Sequence, residues 1–310
     1  MNNQLLLLLD PLGGVQFAFT SLGSSTSATY SVTATGPEGE TYALTLNGVS
    51  QGNMTESPAG TYTKSVTLNQ LSNTIVAGGK TLTVAFTDIV TGMLANYLMA
   101  ADGGQTLTDS LGLNNAVVGS TGSSATDDPT WNADGYYAFD GNDYFLLDLG
   151  SSKTIQAAEF VFYPSSWVSR TLFGLASAAN AGILLSDITG SLTNERITIS
   201  HDAANFSAYT NASAFASNTW YILQVFYSSG WKIYLNGALL STSPDLATAL
   251  VGQTWHIGKR GNPASFYFQG NMAYIRLYES GYDATRQANS KAWLYAHAKA
   301  NKPTLFASLP

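Results

Sequence analysis

The stretch Ala133–Leu149, ADGYYAFDGNDYFLLDL, carries two strand-like runs around a polar turn. Tyr136, Tyr137 and Phe139 come before Gly141-Asn142-Asp143, and Tyr144, Phe145, Leu146 and Leu147 come after it. Asp, Asn and Gly tolerate the positive φ of tight β-turns, so the pattern predicts a β-hairpin. Further along, Trp220-Tyr221 opens a strand, Lys232 to Gly237 forms another that ends in an Asn-Gly turn, and Gly270 to Tyr278 forms the last. Between these lie Glu159–Tyr163, Arg170–Gly174, Gly182–Leu185, Arg196–Ser200 and Phe206–Tyr209. Apolar runs spaced by roughly 8–12 residues with turn chemistry between them predict a β-sandwich.

In this order the segments resemble the laminin-G-like, concanavalin A-like jelly-roll domains, over about residues 95–285. Tyr97–Ala100 would be the first strand, and Asp127-Asp128-Pro129-Thr130-Trp131 precedes the aromatic run as in the family. The stretch from Leu107 to Gly112 departs from the family's D-x-S-G-N-G-like turn, with Leu111 between Ser110 and Gly112. The resemblance implies a two-sheet scaffold used mostly for binding.

Residues 1–94 carry shorter alternating runs: Val15, Phe17 and Phe19, then Tyr30 and Val32, then Tyr42, Leu44 and Leu46 before Asn47-Gly48. Tyr62–Leu68 and Thr81–Thr87 repeat the period of two. About six or seven short strands in such a length suit an Ig-like β-sandwich. Residues 286–310 hold a helix and tail. Asp283 can cap the helix, and Ala284, Ala288, Ala292, Tyr295 and Ala296 form one stripe. The expected fold is all-β: an N-terminal Ig-like sandwich, a concanavalin A-like jelly roll and a C-terminal helix.

Composition narrows the partners. The 310 residues carry a net charge of −7, and only 13 Lys and Arg, with no Lys/Arg-rich run of even four residues. Nucleic acid is therefore not expected, because phosphate neutralisation needs clustered cations. There is no cysteine, so disulfides, thiolate zinc sites and thiol nucleophiles are excluded. No stretch approaches the ~20 apolar residues of a membrane span, so no membrane insertion is expected. The opening MNNQLLLLLDP has no basic n-region and only five leucines, and reads as no secretory signal. The Leu5–Leu9 run reads as a first buried strand.

Catalysis is not expected. Glycosidase carboxylates must flank one bond, and the glucanase E-x-D-x-E signature is absent. Glu159 begins an aromatic strand and reads as a solvated strand end. His201, His256 and His297 show no metal-ligand spacing. No cofactor is required. Calcium is the metal that the family resemblance implies, with Asp109, Asp140, Asn142 and Asp143 as its oxygen donors, against the plainer reading of an Asx-stabilised turn. For a sugar, the loop Gly258–Ser265 supplies Lys259, Arg260 and Asn262 beside Tyr267, and Trp167 with Arg170 is a second candidate.

The combination of an Ig-like sandwich, a jelly roll and no catalytic set resembles bacteriophage virion decoration or fibre proteins. That architecture implies a non-catalytic virion structural protein, made in the host cytoplasm, with capsid proteins and sister copies as partners. Its jelly roll would meet host-surface glycans, and residues 1–94, or the Leu5–Leu9 run and the tail Thr304–Pro310, would serve attachment, assembly or a homo-oligomer. The alternative is a bacterial carbohydrate-binding or adhesion protein of lectin type at the cell surface. An unrecognised glycan hydrolase comes third.

Overall fold

The computed structural model describes residues 15–310 except 122, 168–169, 178–180, 186–195, 201–205, 211–215, 244–247 and 262–265. The Leu5–Leu9 run, His201 and Asn262 lie outside the described residues. The chain divides into two compact units, residues 1–89 with 289–300 and residues 90–288 with 301–310.

The first unit is built from short antiparallel strands in two sheets. One orders Ala18–Phe19, Thr29–Thr35, Thr61–Thr67 and Thr55–Glu56. The other orders Ser24–Ser25, Lys80–Phe86, Ser72–Ala77, Ala43–Leu46 and Val49–Asn53, with one parallel pair between Ser24–Ser25 and Lys80–Phe86. The period-two pattern does the sorting. Tyr30, Val32 and Ala34 are buried along one strand, and Asn73, Ile75 and Ala77 along another, while their neighbours face out. The Asn47-Gly48 hairpin forms as read: Asn47 has φ 52°, Gly48 has φ 80°, and Leu46 pairs with Val49. Both signs are those of a type I′ turn.

The second unit is a sandwich of two eight-stranded sheets. One runs Thr130–Asn132, Tyr136–Asp140, Gln269–Tyr278, Ala157–Pro164, Tyr221–Tyr227, Trp231–Leu235 and Ala238–Ser243, with Met93–Tyr97 also on Gln269–Tyr278. The other runs Thr106–Leu107, Ala116–Val118, Phe145–Ile155, Leu250–Ile257, Arg170–Leu175, Gly182–Leu185, Arg196–Ser200 and Phe206–Thr210. Side chains from both sheets form one core, including Phe160, Phe162, Leu223 and Ile275 from the first and Phe145, Leu147, Phe173 and Trp255 from the second. Phe173 and Trp255 stack at 4.5 Å. The expected opening strand at Tyr97–Ala100 lies instead at Met93–Tyr97, where Met93 pairs with Tyr278 and Tyr97 with Ile275.

The stretch 133–149 does not make the expected hairpin. Tyr136–Asp140 pairs with Thr130–Asn132 and Gln269–Tyr278, whereas Phe145–Ile155 pairs with Leu250–Ile257 in the other sheet. The Gly-Asn-Asp turn is a corner between sheets. Tyr137 and Phe139 meet Phe145 edge-on across the interior, with ring centroids 5.1 and 5.3 Å apart, so the aromatic runs face each other through the core rather than side by side.

Glu159 is likewise not a solvated strand end. It lies within Ala157–Pro164, 1% exposed, and its Oε2 takes Arg276 Nη1 at 2.9 Å. Tyr278 and Tyr282 hydroxyls and Gln224 Nε2 also donate to this carboxylate. Gln287, from the first turn of the helix Ala284–Asn301, returns a bond to Gln224 Oε1. A buried charge is tolerated only when paired and hydrogen-bonded, and here the pairing is complete on the carboxylate side. Asp283 caps the helix, its Oδ1 accepting the Arg286 amide at 2.8 Å. No helix among the described residues is long and apolar enough to cross a membrane.

Candidate functional site

At one end of the sandwich, four segments bring cations and aromatic rings together. The strand Leu250–Ile257 runs into Gly258, where φ is 90° and a Cβ would stand 2.7 Å from the Phe139 ring. Only glycine fits this bend. The turn beyond it carries Lys259 and Arg260, and it packs so closely on Gly174 that a Cβ there would meet the Lys259 carbonyl at 2.6 Å.

Lys259 Nζ lies 3.9 Å from the centre of the Tyr144 ring and 5.5 Å from that of Tyr267. The two rings are 6.5 Å apart, and His256 meets Tyr144 edge-on at 5.1 Å. A cation over a ring face in such a setting contributes about 0.5–2 kcal/mol. The Arg260 guanidinium sits 4.7 Å over Phe266. Phe266 has φ 55°, in the left-handed region that a bulky residue rarely occupies. Arg170 Nη1 donates to the Tyr267 carbonyl at 3.1 Å and Nη2 to Gln269 Oε1 at 2.8 Å. Three cations thus converge on Phe266 and Tyr267.

Burial pulls the Arg170 and Arg260 guanidinium groups below their ordinary range. Lys259 is lowered by the same cause, opposed by the negative charge of Asp127. His256 falls to about 4, first through burial and then through Lys259, so its ring is neutral at pH 7. Among the described residues, no carboxylate lies within ion-pair distance of Arg170, Lys259 or Arg260. The Nε–H groups of Arg170 and Arg260 are enclosed and have no acceptor among the described residues. Beneath the cluster, Asp143 is raised to about 6, mainly by burial, with Asp140 and Asp128 adding repulsion against the stabilising Asp140 amide.

Of the residues singled out in the sequence, Lys259, Arg260, Tyr267 and Arg170 come together here. Trp167 does not join them. It is 1% exposed, packs on Phe162 and Tyr221, and donates its Nε1–H to the Ala216 carbonyl, so its ring belongs to the core. Nor do the proposed calcium donors assemble. Asp109 is 2% exposed, and its carboxylate accepts the amides of Asn96, Leu111, Leu113 and Asn114. Asp140 Oδ1 accepts the Asn142 amide, and Asp143 Oδ2 the Asp140 amide, as in an Asx-stabilised turn. Among the described residues no three acidic or histidine side chains stand together as a metal site.

Tyr144, His256 and Gln269 were not singled out as site residues. They join the cluster through strand pairing, with Leu146 opposite His256 and Asp140 opposite Gln269, which no local motif announces. A second aromatic group, Tyr136, Trp220 and Tyr163, was also missed; its rings lie 5.9 and 5.5 Å apart on the face of the sheet away from the core.

No protein-family model matches the chain, and no curated protein matches its sequence. Among solved structures it is similar to domain 4 of AbnA, an extracellular arabinanase from Geobacillus stearothermophilus, in complex with arabinotriose. That likeness has 18% identity and a TM-score of 0.47 over 64% of this chain and 98% of that one. It is also similar to the botulinum neurotoxin serotype D ligand-binding domain in complex with N-acetylneuraminic acid, at 12% identity and a TM-score of 0.47. There the match covers 67% of this chain and 52% of that one, so the chain spans about half its length. A third likeness, to a heptameric SAP-like pentraxin from Limulus polyphemus, has 14% identity and a TM-score of 0.38 over 51% of this chain and 81% of that one.

Proposed function

We propose that the second unit is a non-catalytic carbohydrate-binding domain, and that the chain acts as a lectin-like binding or adhesion protein. The observation that carries this reading is Lys259 held between the Tyr144 and Tyr267 rings, with Arg170, Arg260 and Gln269 alongside. Aromatic faces next to fixed polar groups suit a saccharide, whose ring has apolar C–H faces and a hydroxyl edge. Glu159 supports the absence of catalysis, because its charge is spent on Arg276 and its oxygens on Tyr278, Tyr282 and Gln224. The virion role expected from the architecture finds no support in the fold or in the comparisons.

The test is a glycan array probed with the full chain and with Tyr267→Ala, alongside an assay for new reducing ends on every bound glycan. Retention on a defined glycan subset, weakened at least tenfold by Tyr267→Ala and without cleavage, is the expected result. No retention on any glycan, or release of reducing ends, defeats the reading.

A further inference from the structure

We propose that Lys259 and Arg260, held with Arg170 around Phe266–Tyr267, receive the carboxylate of an acidic sugar, so that the domain prefers hexuronate or nonulosonate saccharides to neutral ones. The inference rests on the carbohydrate reading above and deepens it.

The first ground is the balance of charge at the site. The chain carries 13 Lys and Arg in 310 residues, with a net charge of −7. Three of those cations nevertheless meet at two consecutive residues. Partial burial of a cation is costly unless an anion offsets it. Lys259 has the charge of Asp127 nearby. Arg170 and Arg260 have no such neighbour among the described residues, and burial shifts them.

The second ground is unspent hydrogen-bonding capacity. Arg170 is committed through both Nη atoms to the Tyr267 carbonyl and Gln269, and its Nε–H is enclosed, so it braces the site; the unspent capacity lies on the Nη atoms of Arg260, which make no hydrogen bond among the described residues. A guanidinium is a planar fork that matches a planar carboxylate, and charge-assisted bonds of this kind are roughly twice as strong as neutral ones.

The third ground is fixed geometry. Phe266 is held at φ 55°, Gly258 at φ 90°, and the turn rests on Gly174 without room for a Cβ. Backbone held in sparsely populated regions clusters at ligand sites, where it sets side-chain directions in advance. Here it directs Arg260 over Phe266 and Lys259 between two tyrosines. The carboxylate would meet Arg260 and Lys259 while the sugar ring lies against Tyr267.

Titration calorimetry of the full chain tests this with oligosaccharides of glucuronate, galacturonate, mannuronate and nonulosonate. Each is paired with its carboxyl-reduced counterpart, and a sulfated neutral oligosaccharide serves as the anion control. The expected result is at least tenfold tighter binding of one acidic saccharide than of its reduced form, weakening as salt rises. Arg260→Gln and, separately, Lys259→Gln should each remove most of that preference while leaving the melting temperature within a few degrees of the parent. Equal binding of the acidic and reduced forms overturns the inference and leaves the carbohydrate reading standing. Binding of the sulfated control as tightly as the acid overturns the carboxylate assignment. Silence across acidic and neutral saccharides alike overturns both.

Discussion

The Asp143 carboxylate accepts the Asp140 amide at 2.7 Å, and this bond closes the corner where the chain passes from one sheet of the sandwich to the other. Asp143 is 3% exposed, and its neighbour Tyr144 meets His256. The corner therefore joins two titratable groups, one buried and one half-buried, with opposite demands.

Asp143 is raised from 3.8 to about 6, so between those values the folded chain holds a proton that the unfolded chain has released, and stability falls as pH rises. His256 is lowered from 6.5 to about 4, so the unfolded chain binds the extra proton and stability rises with pH. Between about pH 4 and 6 the two slopes cancel, each being about 1.4 kcal/mol per pH unit for one whole proton. Urea unfolding of His256→Asn should show stability falling from pH 4.5 to 6, and Asp143→Asn should show it rising. Two variants that both track the parent would refute the opposed pair.

The Glu159–Arg276 pair gives a prediction of size. Both side chains are fully enclosed, so Arg276→Met strands a carboxylate and Glu159→Ala strands a guanidinium. Either change should cost about 3–5 kcal/mol in denaturant unfolding. A loss below about 1 kcal/mol from both would mean that water reaches the pair.

Asp109 organises the loop before Ala116–Val118 through four backbone amides. Asp109→Ala leaves these donors to find new partners and should destabilise the chain by about 2 kcal/mol or more. With its oxygens so occupied, millimolar Ca²⁺ should not move the melting temperature by even one degree. A calcium-dependent rise abolished by Asp109→Ala would restore the metal reading.

Lys302 donates to the carbonyls of Leu98, Gly135 and Ala273 and lies 4.1 Å over the Tyr274 ring. Burial lowers it from 10.5 to about 7. The unfolded chain then binds the extra proton above pH 7, and stability should rise from pH 7 to 9.5. In Lys302→Met that rise should vanish. A rise of the same slope in the variant would assign it to another group.

What could be read in advance followed the reach of each signal along the chain. The Asn47-Gly48 and Asn236-Gly237 turns were legible because φ 52° and 80°, and 55° and 85°, are local demands that Asn and Gly meet on their own. The corner at 140–143 uses the same residue types, and nothing within the turn tells a hairpin from a change of sheet. Glu159 looked solvated because its partner, Arg276, stands 117 residues away. Arg170 and Tyr267 were two separate candidates until a bond across 97 residues joined them.

The strand Gln269–Tyr278 lies in the interior of its sheet, between Tyr136–Asp140 and Met93–Tyr97 on one side and Ala157–Pro164 on the other. It is also the last of the described strands in chain order. During translation the earlier strands of that sheet wait with their edges open and Phe160, Phe162 and Tyr137 unburied, because the piece that zips them together has not yet emerged. Such late closure, with pairings over more than a hundred residues, slows folding and leaves aggregation-prone surface waiting. The order of manufacture thus runs against the order of assembly, and a ribosome that stalls between residues 257 and 269 would hold a chain with every described strand of the sandwich except its keystone.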